Sequence, residues 1–268
     1  MRYFKLLIGN LFYNLYNFNM NKKNNSITFA DPTHFKLPIY VYQTLFKDAF
    51  YFGFIKNNVP TISGLLNHLI PSLADYRHDL HLTFLNNNDG NEELTIKIEN
   101  NIYNTYFSKD DYCDDASIDI SFRANNTHLE QLLDIYDNVL YTYDMNFTQF
   151  VRSILIEYCS KRLNQREYFF FYKEMQNIKY AIKNNKQCTF YLKNEKLCFV
   201  PISIELSFKR EQNYIIGYDF NCEKAYVFPV SLLKRIIVNN VQYEVTEEDI
   251  SFVYDYFKEY EMANEGEV

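Results

Sequence analysis

Two hydrophobic periods alternate along the chain. In "ASIDISFRAN" (116–125), apolar Ile118, Ile120 and Phe122 alternate with Asp119, Ser121 and Arg123. A period of two marks a strand with one buried face. The next segment, "THLEQLLDIYDNVL", sets Leu129, Leu132, Leu133, Tyr136 and Val139 on one helical stripe. A second helix, "NFTQFVRSILIEYC", carries Phe147, Phe150, Val151, Ile154, Leu155 and Tyr158 on one face, with Asn146 and Gln149 placed as a capping box.

The same order occurs earlier in the chain. "THFKLPIYVYQTLFKDAFYF" repeats the strand and first helix 87 residues upstream, with Tyr42, Leu45, Phe46, Ala49 and Phe52 on the stripe. Behind Thr61, residues Ile62, Leu65, Leu66, Leu69, Ile70 and Leu73 repeat the second helix at a shift of 85. An internal duplication follows. Pro71 lies inside this copy and is expected to kink or shorten its helix. The stretch between the copies is Asn- and Asp-rich and is expected to hold a hairpin of its own.

Strand, helix, helix at these spacings resembles the ribbon-helix-helix family. One such unit has a single strand, so two copies in one chain are expected to pair as a pseudo-dimer around an antiparallel ribbon. The resemblance implies DNA contact through the outward residues His34 and Lys36 of one copy and Ser121 and Arg123 of the other. It also implies phosphate near the amino ends of the second helices, around 61–63 and 146–148.

Beyond the repeat the period shortens again. After a connecting helix from about Arg166 to Asn184 come "CTFYL", "LCFVPISIELS", "NYIIGYDF", "AYVFPVSLL" and "RIIVNN", separated by polar turns. Five closely spaced strands after one helix suggest a small, strongly bent barrel. The order "AIKNNKQCTFYL", "FVPISIELS", "NYIIGYD", "YVFPVSLLKRI" resembles the WYL domain, an Sm- and SH3-like barrel of bacterial transcription regulators and CRISPR-associated proteins. The namesake triplet reads Asn213, Tyr214, Ile215, keeping the central tyrosine. The resemblance implies nucleotide or nucleic-acid binding. Here the candidate set is Tyr191, Lys209, Arg210, Tyr214, Tyr226 and Arg235, in which tyrosine faces would stack on unpaired bases while cations meet the backbone. A ribbon-helix-helix front end before a WYL domain resembles the accessory proteins of type VI-D CRISPR effectors, which implies single-stranded RNA and an RNA-guided nuclease as partners.

These readings give an α+β chain. Its parts are an N-terminal extension (1–25), copy 1 (26–85), a linker (86–115), copy 2 (116–165), a connecting helix with the WYL domain (166–245) and an acidic C-terminal helix (246–268). In that last helix Ile250, Val253, Tyr254, Phe257 and Tyr260 share one face, to be covered by the barrel or a second chain. Met20 is a candidate start, with the preceding residues outside the folded unit.

Composition adjusts this picture at three points. The net charge of −7 is carried entirely by residues 246–268, eight acids against Lys258, while 181–245 holds nine basic and six acidic residues. The acidic sum therefore does not exclude a polyanion partner. Five cysteines without CxxC pairing suggest buried thiols, neither zinc nor disulfides. Four of the histidines, His68, His78, His81 and His128, show no paired carboxylate pattern, and no HExxH, GxSxG, P-loop or GxGxxG string occurs. The expected protein is non-enzymatic, free of cofactor and metal, cytoplasmic without a membrane span, and homodimeric. The favoured function is a nucleic-acid-binding, ligand-responsive transcription regulator. The alternatives are an accessory protein binding single-stranded RNA for a type VI-D CRISPR nuclease, and a nucleotide sensor.

Overall fold

The computed structural model describes residues 33–107, 117–123, 147–192, 195–207 and 209–263. Its elements run β1 (Thr33–Pro38), α1 (Ile39–Tyr51), β2 (Ile55–Lys56), β3 (Val59–Pro60), α2 (Ile62–Asn87), α3 (Glu92–Phe107), β4 (Ser117–Phe122), α4 (Phe147–Cys159), α5 (Leu163–Phe170) and α6 (Tyr172–Lys183). Strands β5 (Lys186–Leu192), β6 (Lys196–Ser207), β7 (Gln212–Asp219), β8 (Lys224–Pro229) and β9 (Leu233–Gln242) follow, then α7 (Glu247–Ala263). The first-helix stripe of copy 2, with its Asn146 cap, lies outside the described residues, as do residues 1–32.

Strands β1 and β4 pair antiparallel, setting Phe35 opposite Ile120 and Leu37 opposite Ile118. Residues directly opposite share a face, so one face of this ribbon buries Phe35, Leu37, Ile120 and Phe122 against the helices. The second-helix stripes deliver the rest of that core: Leu65, Leu66, Leu69, Ile70 and Leu73 from α2 meet Phe150, Val151, Ile154, Leu155 and Tyr158 from α4.

Several local expectations are corrected. Helix α2 runs on past Pro71 to Asn87 instead of shortening. The proline turn is braced from outside: His68 Nε2 and Ser72 Oγ both lie 3.1 Å from the carbonyl of Phe170. In α1 the buried face is Val41, Leu45, Asp48 and Ala49, and Phe46 is exposed. The stripe is rotated because Asp48 points inward, accepting bonds from Tyr158 Oη at 2.7 Å and from Arg166 Nε and Nη2 at 2.8 and 3.0 Å. The linker forms helix α3, where a hairpin was expected, with the Asn91 side chain accepting the amide of Leu94 and two glutamates in the first turn. Helix α3 brings Glu99 to 3.0 Å from His81, so that histidine does have a carboxylate partner. The connecting helix is two helices broken at Phe171, and Phe170 stacks on Phe52 of the front layer at 3.9 Å. Cys113 lies outside the described residues; of the other thiols, Cys159 and Cys188 are buried, Cys198 is half-buried and Cys222 is exposed in the β7–β8 turn, against the expectation of burial throughout.

The five later strands form one antiparallel sheet in the order β8-β7-β6-β5-β9. Consecutive strands β8 and β9 therefore occupy opposite edges, joined by the single 3₁₀ turn Val230–Leu232. Five flat strands would span roughly 19 Å, whereas a three-residue 3₁₀ turn bridges less than about 10 Å. The sheet must curl until its edges approach. It does not close, because β8 stops at Pro229, which has no N–H to extend the ladder, and no pairing joins β8 to β9. The small, strongly bent barrel expected from the sequence is thus a curled five-stranded sheet whose edge strands do not pair. Helix α6 packs Met175, Ile178 and Ala181 into the same core as Phe190, Phe199, Phe228 and Ile236, which defines the inner face of the curl.

Gly217 makes the tightest point of that curl. A Cβ there would overlap the Phe199 ring and the Val200 carbonyl, because Tyr226, opposite Gly217 in the ladder, stacks on Phe199 at 5.2 Å. Gly217→Ala is expected to lower the urea unfolding midpoint, with a loss of about 1–3 kcal/mol from overpacking, whereas an unchanged midpoint would mean the ring stack is not fixed.

Candidate nucleic-acid interface

Strand alternation and the observed register sort the candidate residues onto surfaces. Tyr191 of β5 sits opposite Lys196 of β6 and opposite Arg235 of β9. All three share the outer face, with Lys196 Nζ 5.7 Å and Arg235 Cζ 6.0 Å from the Tyr191 ring centre. Both cations stand at the outer limit of cation–aromatic attraction, so the half-buried tyrosine holds two exposed positive groups beside its ring. One residue pair inward, the face is lined by Thr189, Cys198 and Ile237, and the amide of Asn239 bridges Thr189 and Gln187 at 3.2 Å each.

The other half of the outer face is closed. Tyr214, Ile216 and Ala225 pack under Val253 and Phe257 of α7, with Tyr218 and Tyr254 at the margin. Tyr214 is 1 % exposed, its ring 5.9 Å from Phe257 and 5.7 Å from Tyr260. This corrects the expectation that the motif tyrosine offers a stacking face: a helix already covers it. Its hydroxyl accepts a bond from Arg210 Nη1 at 3.3 Å, so Arg210 bridges the β6–β7 turn to the covered half. Lys209 is exposed at that same turn. Tyr226 is separated from the rest. Its partner Gly217 and its stacking ring Phe199 belong to the inner face, and Lys224 lies 5.0 Å from its ring centre. The six residues therefore do not form one patch. Tyr191 and Arg235 come together, Arg210 meets Tyr214, and Tyr226 faces the opposite side.

Helix α7 settles where its apolar stripe goes. It lies on its own sheet, with Ile250 left partly exposed at 37 %. Tyr254 Oη donates to Glu205 at 2.7 Å, pinning the helix to β6.

On the ribbon, His34 lies opposite Ser121 and Lys36 opposite Asp119, all on the exposed face, with Arg123 just beyond β4. Asp119 offsets Lys36 across the ladder. The carbonyl of Arg123 accepts from the Asn67 amide at 3.0 Å, tying the strand end to α2. At the amino end of α2 the Thr61 hydroxyl donates to the Phe54 carbonyl instead of capping its own helix. The ribbon face thus carries few positive groups beside the six or more phosphate contacts of strong duplex binders.

Sequence reasoning missed two residues. Lys196 was legible as the mirror of Tyr191 across the tight β5–β6 turn, where the Leu192 amide bonds Glu195. Asn213, which stands at the first position of the triplet, has a structural role of its own. Its backbone amide and side chain donate to buried Glu167 at 2.7 and 2.9 Å, while Tyr51 Oη donates to the same carboxyl at 2.7 Å. Asn213 therefore joins β7 to α5 and, through Glu167, to α1. Burial pushes the Glu167 carboxyl up to about 7, against the downward pull of those three donors and of Arg166.

Among the described residues, no cluster of His, Cys, Asp and Glu is arranged to hold a metal ion, and no helix is long and apolar enough to cross a membrane.

No family model matches the chain, and no curated protein matches it. Among solved structures, it is similar to one described as the crystal structure of a CRISPR Cas-related protein, with a TM-score of 0.59 and 15% identity over 86% of this chain and 68% of that one. At that identity the likeness establishes a shared fold.

The Glu167 junction carries a pH signature. A carboxyl whose pKa in the folded chain lies above its ordinary value near 4.5 keeps its proton longer in the folded state. Its contribution to stability then falls as pH rises from about 4.5 to about 7 and levels off above. Thermal melting of Glu167→Gln and the wild type across pH 4.5–8 is expected to show a wild-type decline that the variant lacks, whereas parallel curves would contradict the assignment.

Proposed function

We propose that the protein is a non-enzymatic, CRISPR-associated accessory protein that binds single-stranded nucleic acid, RNA in the first place, through the open outer half of its curled sheet. The observation carrying this reading is the row Lys196–Tyr191–Arg235, a tyrosine held between two exposed cations on a face that no helix covers among the described residues. An aromatic ring flanked by positive groups suits an unpaired base and its adjoining phosphates, and base–aromatic stacking contributes about 1–3 kcal/mol per base. The fold shared with a CRISPR Cas-related protein supports the setting. The resemblance of the ribbon-helix-helix and WYL layout to type VI-D accessory proteins points the same way, toward modulation of an RNA-guided nuclease.

A transcription regulator reading duplex DNA through the ribbon is the second reading. The antiparallel pairing of β1 with β4, which presents His34, Lys36, Ser121 and Arg123 outward, favours it. The opposition of Lys36 and Asp119 weighs against it.

Fluorescence anisotropy separates the two. Labelled single-stranded RNA, single-stranded DNA and duplex DNA are titrated at two salt concentrations with the wild type, with Lys196→Ala/Arg235→Ala and with Lys36→Ala/Arg123→Ala. The sheet variant, which loses two phosphate contacts, is expected to weaken single-strand binding about tenfold or more, and the ribbon variant to leave it within about twofold. Tighter binding of duplex, lost in the ribbon variant alone, would replace this reading with the second.

A further inference from the structure

The exposed face of α6 holds a cluster of cations and tyrosines that lies apart from the outer-face row. Helix α6 buries Tyr172, Met175, Ile178 and Ala181 and so leaves Gln176, Lys179, Tyr180 and Lys183 on one outward stripe, the i, i+3, i+4, i+7 spacing of a single helix face. Two of its cations are positioned by tyrosines. Lys179 Nζ donates to Tyr168 Oη at 2.9 Å and lies 4.4 Å from that ring centre. Lys186, where β5 begins, donates to Tyr180 Oη at 3.2 Å and lies 5.1 Å from its ring centre. Tyr180 is 51 % exposed. Lys183 stands one helical turn beyond Lys179, about 6 Å along the axis.

The charge on this stripe is unopposed in sequence. Between residues 172 and 192 four lysines face Glu174 alone, in a chain whose net charge is −7. Among the described residues, Lys173 alone of those lysines is engaged in a salt bridge, to Asp75 at 2.9 Å. Lysines that merely solvate a surface extend into water and lose little rotamer freedom. Here two of the three are folded back onto phenol rings, which holds the ammonium groups at set positions.

We propose that this stripe, Lys179, Lys183 and Lys186 with Tyr168 and Tyr180, is a second contact site for the sugar–phosphate backbone of single-stranded nucleic acid. It extends the binding reading above and rests on it. Because α6 packs on the inner side of the sheet and the Tyr191 row lies on the outer side, a strand contacting both would pass around the β9 edge. Contacts through ammonium groups read phosphates and carry no sequence preference. The charge of the stripe calls for a polyanion.

The test uses the full chain with a fluorescein-labelled 20-nucleotide oligouridylate, and an oligothymidylate of the same length, between 50 and 300 mM salt. Neutralising three phosphate contacts removes about 0.7 each from the slope of log affinity against log salt for a single strand. Lys179→Gln/Lys183→Gln/Lys186→Gln is expected to reduce that slope by about 2 with both oligonucleotides and to weaken binding about tenfold at the lower salt. The corresponding triple arginine variant is expected to restore the slope, which a merely structural role of the lysines would not require. If the glutamine variant binds with wild-type slope while Lys196→Ala/Arg235→Ala fails to bind, this site is wrong and the outer-face reading stands. If the wild type binds neither oligonucleotide, both fall. A loss confined to the uridylate would also overturn the backbone assignment, since it would point to 2′-hydroxyl contacts.

Discussion

Burial of the aromatic surface of β7 and β8 beneath α7 is the constraint on which the arrangement of this sheet depends. A sheet with one apolar face needs one covering layer, but β7 is apolar on both faces: Ile215 joins the inner core, while Tyr214 and Ile216 form an outer one. The outer set must be covered or left as an exposed apolar patch, and Val253 and Phe257 of α7 cover it. Strands β5 and β9 differ. Their outer positions are Gln187, Thr189, Tyr191, Arg235, Ile237 and Asn239, mostly polar and bonded to one another, so no helix is required there. The division of the outer face into a covered half and an open half follows from that difference in composition.

A second constraint couples the sheet to the helical layer. Helix α5 is short, yet consecutive residues bind in different directions: Arg166 clamps Asp48 of α1 with two bonds, and Glu167 receives Asn213 of β7 and Tyr51 of α1. The buried Asp48 carboxylate is paired with Arg166, and the Glu167 carboxyl, pushed up by burial, is held by three hydrogen bonds from Asn213 and Tyr51. Around them Phe52 stacks on Phe170 and Phe54 meets it edge-on at 5.8 Å, so aromatic packing and polar bonds fix the same joint. The ribbon, its helices and the sheet share one continuous core through this joint.

Much of the fold was legible because periodicity reports burial directly. The stripes placed Leu65, Leu66, Leu69, Ile70 and Leu73 of α2 and Phe150, Val151, Ile154, Leu155 and Tyr158 of α4 in the core, the alternation placed Ile120 and Phe122 there while Ile118 is only half-buried, and turn residues separated the five later strands. What could not be read was geometry carried by single polar residues. Asp48 rotates α1 because of partners more than a hundred positions away. The apparent alternation in "ELTIKIEN" became helix because Asn91 caps it and Glu99 finds His81. The curl of the sheet turned on the 3₁₀ turn and its open edge on Pro229, local features that pattern counting passes over. For the site, residue type was a fair guide and position was not. Tyrosines flanked by cations were expected, and they occur at Tyr191 and Tyr226, but on opposite faces. Tyr214, the most recognisable of the set, is held under α7. Lys196 and the α6 lysines acquire meaning only once register and helix facing are known.

The proposed function requires the open half of the outer face to meet an unpaired strand. Photocrosslinking of a 4-thiouridine-substituted single-stranded RNA to the intact chain, with peptide mapping by mass spectrometry, tests it most directly. Crosslinks are predicted in the peptides containing Tyr191 and Arg235, with none in those containing His34 or Ser121. Crosslinks concentrated on the β1–β4 ribbon, with the β5 and β9 peptides unmodified, would contradict it.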